Sequence, residues 1–104
     1  MSIYELRTYT LYVGKVNEAS IIYNELGLIW INKYKKNLIK YFIGDIGAMN
    51  QIIHIWKFEN EIQRKKIWNK IFLDKDFITF ASKFRPLVLK QENKLMIEAP
   101  WDKN

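Results

Sequence analysis

The spacing of apolar positions changes period along this chain, and each change marks an element. Residues 3–12 (IYELRTYTLY) are rich in β-branched and aromatic types and predict a strand, which Gly14 ends. One face carries Ile3, Glu5, Arg7, Tyr9 and Leu11, the other Tyr4, Leu6, Thr8, Thr10 and Tyr12, so neither simply faces water. From Val16 the period becomes helical. Val16, Ala19, Tyr23, Leu26 and Trp30 are spaced three and four apart, one amphipathic stripe that Ile22 and Ile29 widen and that runs to Lys35. Gly27 inside the stripe predicts a bend or loosening.

Leu38 to Ile46 reads as a second strand closed by Gly47, and Gln51 to Phe58 as a third, which makes a hairpin. Asn60 and Gln63 form a capping box for a second helix, with Ile62, Ile67, Trp68, Ile71 and Phe72 as its apolar face. The DKD at 74–76 interrupts and recaps it. Phe77, Phe80, Ala81 and Phe84 then continue at helical spacing until Pro86, and Leu87 to Ile97 is the last strand. The order β-α-β-β-α-β predicts an α+β, ferredoxin-like fold. It places a four-stranded antiparallel sheet under two helices, as a single domain over residues 1–104.

Two helices cover one sheet face. On the third strand Ile52, His54, Trp56 and Phe58 point one way and Ile53 and Ile55 the other. Both sides are apolar, so the uncovered face is expected to meet a second copy of the chain, sheet against sheet, in a symmetric homodimer.

Composition supports that expectation. A 104-residue chain with 4 Trp, 6 Tyr and 6 Phe has more aromatic surface than one small core absorbs, so some should line an interface or a pocket. Cysteine is absent, which excludes disulfides and thiol chemistry. No apolar run approaches the ~20 residues of a membrane span. The N-terminus enters a strand without a leader pattern, and a soluble cytoplasmic protein is the expectation. The net charge of +6 is carried mostly by lysine. Arginine occurs only at Arg7, Arg64 and Arg85, and its planar fork makes those positions informative. Aromatics on a four-stranded sheet suit RNA, but QIIHIWKF lacks the basic-glycine-aromatic pattern such sheets use, so no nucleic-acid partner is expected.

The candidate chemistry centres on His54, the only histidine. With no second histidine, no cysteine and no carboxylate cluster at ligand spacing, a metal site is not expected. Axial haem ligation needs one histidine only. Two further readings are a base or hydrogen-bond donor in a small-molecule pocket, and a strand histidine satisfied by a neighbour. Arg7 shares a face with Glu5 and Tyr9, so it either pairs with Glu5 or aims its fork at a ligand or across a dimer. Arg85 sits at a helix end, where a cation complements the dipole. Arg64, beside Lys65 and Lys66, is placed on a solvated face. Tyr9, Tyr41 and Trp56 are core, interface or pocket wall, and Gln91 serves a pocket or bridges strands. No nucleophile–base pair, phosphate loop or dinucleotide fingerprint occurs.

Three stretches, IYELRTYTLYVGKV, YFIGDIGAMNQIIHIWKFEN and RPLVLKQENKLMIEAP, together resemble the NIPSNAP family in order and spacing over nearly the whole chain. Arg7, His54, Trp56 and Arg85 fall on matching motif positions. The resemblance implies a dimeric α/β barrel, with pockets between sheet and helices. It brings no settled reaction; the wider superfamily includes cofactor-free monooxygenases and haem-binding proteins. The reading is a homodimeric module that binds a small apolar or aromatic ligand or a partner, without cofactor. The alternative is a cofactor-independent monooxygenase or related enzyme using His54 and Arg7. A cavity reached by His54 would favour the enzyme, and a fully packed layer the interaction module.

Overall fold

The computed structural model describes residues 2–102. Its sheet holds four antiparallel strands in the order β2-β3-β1-β4: β1 (Ile3–Leu11), β2 (Leu38–Ile43), β3 (Gln51–Phe58) and β4 (Val88–Ile97). The chain order is the β-α-β-β-α-β expected of a ferredoxin-like fold. Arg7 lies opposite His54 on β3 and Asn93 on β4, and Tyr41 lies opposite His54 from β2. One cross-section of the sheet therefore carries Tyr41, His54, Arg7 and Asn93 towards the same face.

The first helical stripe is one continuous rod in three parts: α1 (Val16–Ile22), a π-helical turn (Tyr23–Gly27) and α2 (Leu28–Lys33). The loosening expected at Gly27 is this wide turn. Asn60 caps α3 (Glu61–Leu73) by accepting from the Gln63 amide at 2.8 Å, while the Gln63 side chain accepts from the Glu59 amide at 2.6 Å. Asp74 breaks the rod and caps α4 (Lys75–Phe84) through the Asp76 amide at 2.9 Å. It is held there by Lys33 at 3.1 Å and the Tyr34 hydroxyl at 2.7 Å, which staple the first rod to the second. A 3-10 turn (Arg85–Leu87) leads into β4.

β2 stops at Ile43, three residues before the expected Ile46. The chain folds back at Gly44, where any side chain would collide with the Ala48 carbonyl, and turns at Gly47 with φ +90°. The core lies between helices and sheet and includes Trp30, Trp56, Phe58, Trp68, Ile71, Phe80 and Phe84. The other face carries Leu6, Ile53 and Ile55, half-buried, with Phe42 exposed beside them. Among the described residues no helix is long and apolar enough to cross a membrane.

Candidate functional site

The core has a hollow. A cavity of about 350 Å³ opens between sheet and helices, at the lower end of the range that holds small organic ligands. Arg7, Tyr9, Tyr41, His54, Arg85 and Gln91 line it from the sheet and the 3-10 turn. Tyr23, Trp30, Phe77, Phe80 and Phe84 close it from the helices. Of Arg7, Tyr9, Tyr41, His54, Trp56, Arg85 and Gln91, Trp56 alone is not on the wall. It is fully buried behind His54.

That position decides what His54 can do. The Trp56 indole Nε1–H donates to His54 Nδ1 at 2.6 Å. An indole nitrogen only donates, so Nδ1 must present its lone pair, and in the neutral ring the proton then sits on Nε2. The ring faces are covered by Tyr41, stacked at 4.4 Å, and Tyr9, stacked at 5.2 Å. The remaining edge carries Nε2–H, which is buried and has no partner among the described residues. His54 is only 2% exposed, and burial, then the charge of Arg7, push its pKa well below the ordinary histidine value. It is a neutral hydrogen-bond donor. Protonating Nδ1 would set two donors against each other, and this tautomer has no lone pair on Nε2 for haem iron. The residues therefore do not fit axial haem ligation.

A second orphan donor joins it. Trp30 Nε1–H is buried on the cavity wall and also lacks a partner among the described residues. The Tyr23 ring meets Tyr41 edge-on at 5.3 Å, and burial foremost raises both phenol pKa values, so both hydroxyls keep their protons. Arg7 is steered by Asn93 Oδ1 at 3.2 Å and Glu5 at 3.5 Å, both through Nε, and lies over the Trp68 ring at 4.2 Å. Its two terminal nitrogens make no hydrogen bond to a described residue. Arg85 stands exposed at the rim, its guanidinium 5.9 Å from the Phe77 ring centre. No aspartate or glutamate is on the wall. Among the described residues no group of three or more His, Asp or Glu could hold a metal ion.

The site extends beyond the residues chosen from the sequence. Glu5 is 1% exposed and accepts from Arg64 Nε at 2.6 Å and from Trp68 Nε1 at 2.9 Å. Arg64, expected on a solvated face, is thus an internal partner of Glu5, with Glu61 as its second acceptor at 2.8 Å. The available signal was its spacing of four from Trp68, which puts both on one face of α3. Tyr23, Trp30 and Phe84 were read as helix stripe or core. Periodicity places such residues inward but does not say whether they pack or leave room.

Comparison with known proteins agrees with the sequence resemblance. The family model described as NIPSNAP matches residues 4–103. Human protein NipSnap homolog 3A is 29% identical over 111 aligned positions, covering 96% of this chain and 40% of that protein. The chain thus spans well under half the length of the curated relatives it matches. A NIPSNAP family protein of unknown function from Agrobacterium tumefaciens superposes with a TM-score of 0.88 at 29% identity, covering 98% of this chain and 92% of that one. A cofactor-independent oxygenase from Streptomyces nogalater superposes with a TM-score of 0.62 at 11% identity, over 98% of this chain and 96% of the other, and shares the fold alone.

Proposed function

The chain belongs to the NIPSNAP family, and from its cavity we propose that it is a small-molecule-binding domain that holds an apolar or aromatic ligand between sheet and helices and works as a homodimer. One observation carries the reading: a mostly aromatic hollow lined by His54, whose buried Nε2–H has no hydrogen-bond partner among the described residues. Unpaired buried donors cost roughly 1–3 kcal/mol each, and a bound acceptor relieves that cost. A domain built only for protein contacts has no use for the hollow. The homodimer reading rests on the apolar outer sheet face, and a cytoplasmic location rests on the sequence alone.

The cavity also favours the second reading, a small-molecule enzyme, with one restriction. His54 holds its Nε2 proton and cannot serve as the base, and no carboxylate on the wall replaces it. Catalysis here would rest on polarising a substrate oxygen.

Thermal unfolding of the wild type and His54→Asn against a panel of planar aromatic compounds tests the proposal. A ligand that raises the melting temperature of the wild type, and that of the variant far less, supports it. If no compound shifts either protein, the small-molecule reading falls.

A further inference from the structure

Gln91 and the tyrosine hydroxyls aside, the polar groups that the side chains present to the cavity are donors or cations. Among the described residues, His54 Nε2–H and Trp30 Nε1–H are buried without partners, Arg7 is bonded only through Nε, and Arg85 at the rim has no ion pair. The Tyr23 and Tyr41 hydroxyls stay protonated. The buried carboxylate near Arg7, Glu5, lies behind the wall: its Oε1 accepts from Arg64 and Trp68, and its Oε2 lies 3.5 Å from Arg7 Nε, which leaves the terminal nitrogens of that fork for a ligand. The remainder of the lining is aromatic. Such a wall leaves a cationic ligand unpaired and gives a neutral hydrocarbon nothing polar to answer the donors.

We propose that the cavity selects planar aromatic anions, a carboxylate or an enolate-type oxygen on an aromatic ring system, with His54 Nε2–H donating to the anionic oxygen and the Arg7 fork supplying the countercharge. This rests on the small-molecule reading above and adds the ligand class. Trp56 is the positioning residue: by donating to Nδ1 it keeps the proton on Nε2, so that His54 offers a donor at any pH where the protein is folded. The ring cannot rotate to offer Nδ1 instead, because Tyr9 and Tyr41 sandwich it.

The probes are 2-naphthoate and its neutral counterpart 2-methylnaphthalene, titrated into wild type, His54→Phe and Trp56→Phe. Wild type should bind naphthoate about ten- to a hundredfold more tightly than the hydrocarbon, as expected for a hydrogen bond to a charged acceptor. In His54→Phe that ratio should fall about tenfold, the loss of one hydrogen bond to a charged acceptor, with the Arg7 countercharge keeping the remainder. Because the chain has one histidine, nitrogen-15 spectra of the wild type report it alone. They should show the Nε2–H tautomer, and Nε2 should shift on adding naphthoate. In Trp56→Phe the Nδ1–H tautomer should become populated and the naphthoate preference should drop. Three results would overturn the inference: hydrocarbon binding as tight as naphthoate, a preference unchanged in His54→Phe, or an Nδ1–H tautomer in the wild type. Hydrocarbon binding without anion preference would leave the small-molecule reading standing. Binding of neither probe would remove both. The wild-type spectrum remains decisive if either variant fails to fold.

Discussion

Trp56 Nε1 lies 2.6 Å from His54 Nδ1, two residues away on the same face of β3. Strand alternation alone places the two side chains together. Their chemistry then makes the pair directional: a residue that can only donate sets the tautomer of one that can do either. The Nδ1 edge of the histidine is packed and bonded, while its Nε2 edge has no partner among the described residues.

The first prediction concerns acid. Folding lowers the His54 pKa, whereas the unfolded chain titrates it near 6.5. Between those values the unfolded state binds more protons, so stability is complete above about pH 6.5 and falls as the pH drops below it, by up to about 1.4 kcal/mol per unit. His54→Gln should lack this slope. Denaturant unfolding of both proteins at pH 7.5, 6.5 and 5.5 reads it directly. Parallel pH profiles would show that His54 is not buried as the neutral ring.

A methyl group at Gly27 would sit 2.8 Å from Tyr23 Cδ1 and 3.3 Å from Phe80 Cε1. In an open helix Gly→Ala gains about 1 kcal/mol. Here overpacking wins, because Tyr23 is itself wedged against Tyr41, Phe80 and Phe84. Gly27→Ala should destabilise by about 1–2 kcal/mol. The loss should shrink in a Tyr23→Leu background, where the branched chain can move away. Additive losses in that double mutant would place the clash elsewhere.

The element order, the Asp74 break and the parity of β3 were all legible in the sequence, because period and capping are local signals. What escaped it depends on distances between elements. Arg64 looked solvated beside two lysines, and only the approach of α3 to β1 delivers it to Glu5. The stripe Val16, Ala19, Tyr23, Leu26 and Trp30 faces inward as read, whereas Ile29, read as widening it, is exposed. The stripe did not reveal that a π-helical turn at Tyr23–Gly27 holds the Tyr23 ring over the cavity. Gly27 carried that information in part, as a residue whose absent side chain makes room.

Removing Arg64 should be costly for a residue on a lysine-rich surface. Glu5 would keep Trp68 and Arg7 but lose its 2.6 Å partner. Breaking a fully buried pair costs roughly 3–5 kcal/mol; Arg64 is one-fifth exposed, so about 2 kcal/mol is expected for Arg64→Ala. Lys66→Ala, on the exposed side of the same helix, should stay within about 0.5 kcal/mol. Equal effects in urea unfolding would mean that the Glu5–Arg64 contact carries no stability. Arg64→Lys should recover only part of the loss, since an ammonium cannot span Glu5 and Glu61 as the fork does.

The last prediction concerns the outer sheet face. Leu6 pairs with Ile55 and Thr8 with Ile53 at the centre of that face, flanked by Lys40 and Phe42 on β2 and by Lys94 and Glu92 on β4. Lysines 40, 57, 90 and 94 lie around this apolar centre, an apolar middle with a charged rim, as interfaces have. Two copies stacked through it would each need to cover about 800 Å² to hold at micromolar concentration. Light scattering behind size exclusion should then give a mass near twice the 12.6 kDa of the chain. Ile53→Glu combined with Ile55→Glu should return the mass to that of one chain while the helix-side core stays folded, because a carboxylate buried in a dry interface has no partner there. A wild type that runs as a monomer at micromolar concentration would refute the dimer. A double variant that still dimerises would move the interface to one of the exposed sheet edges.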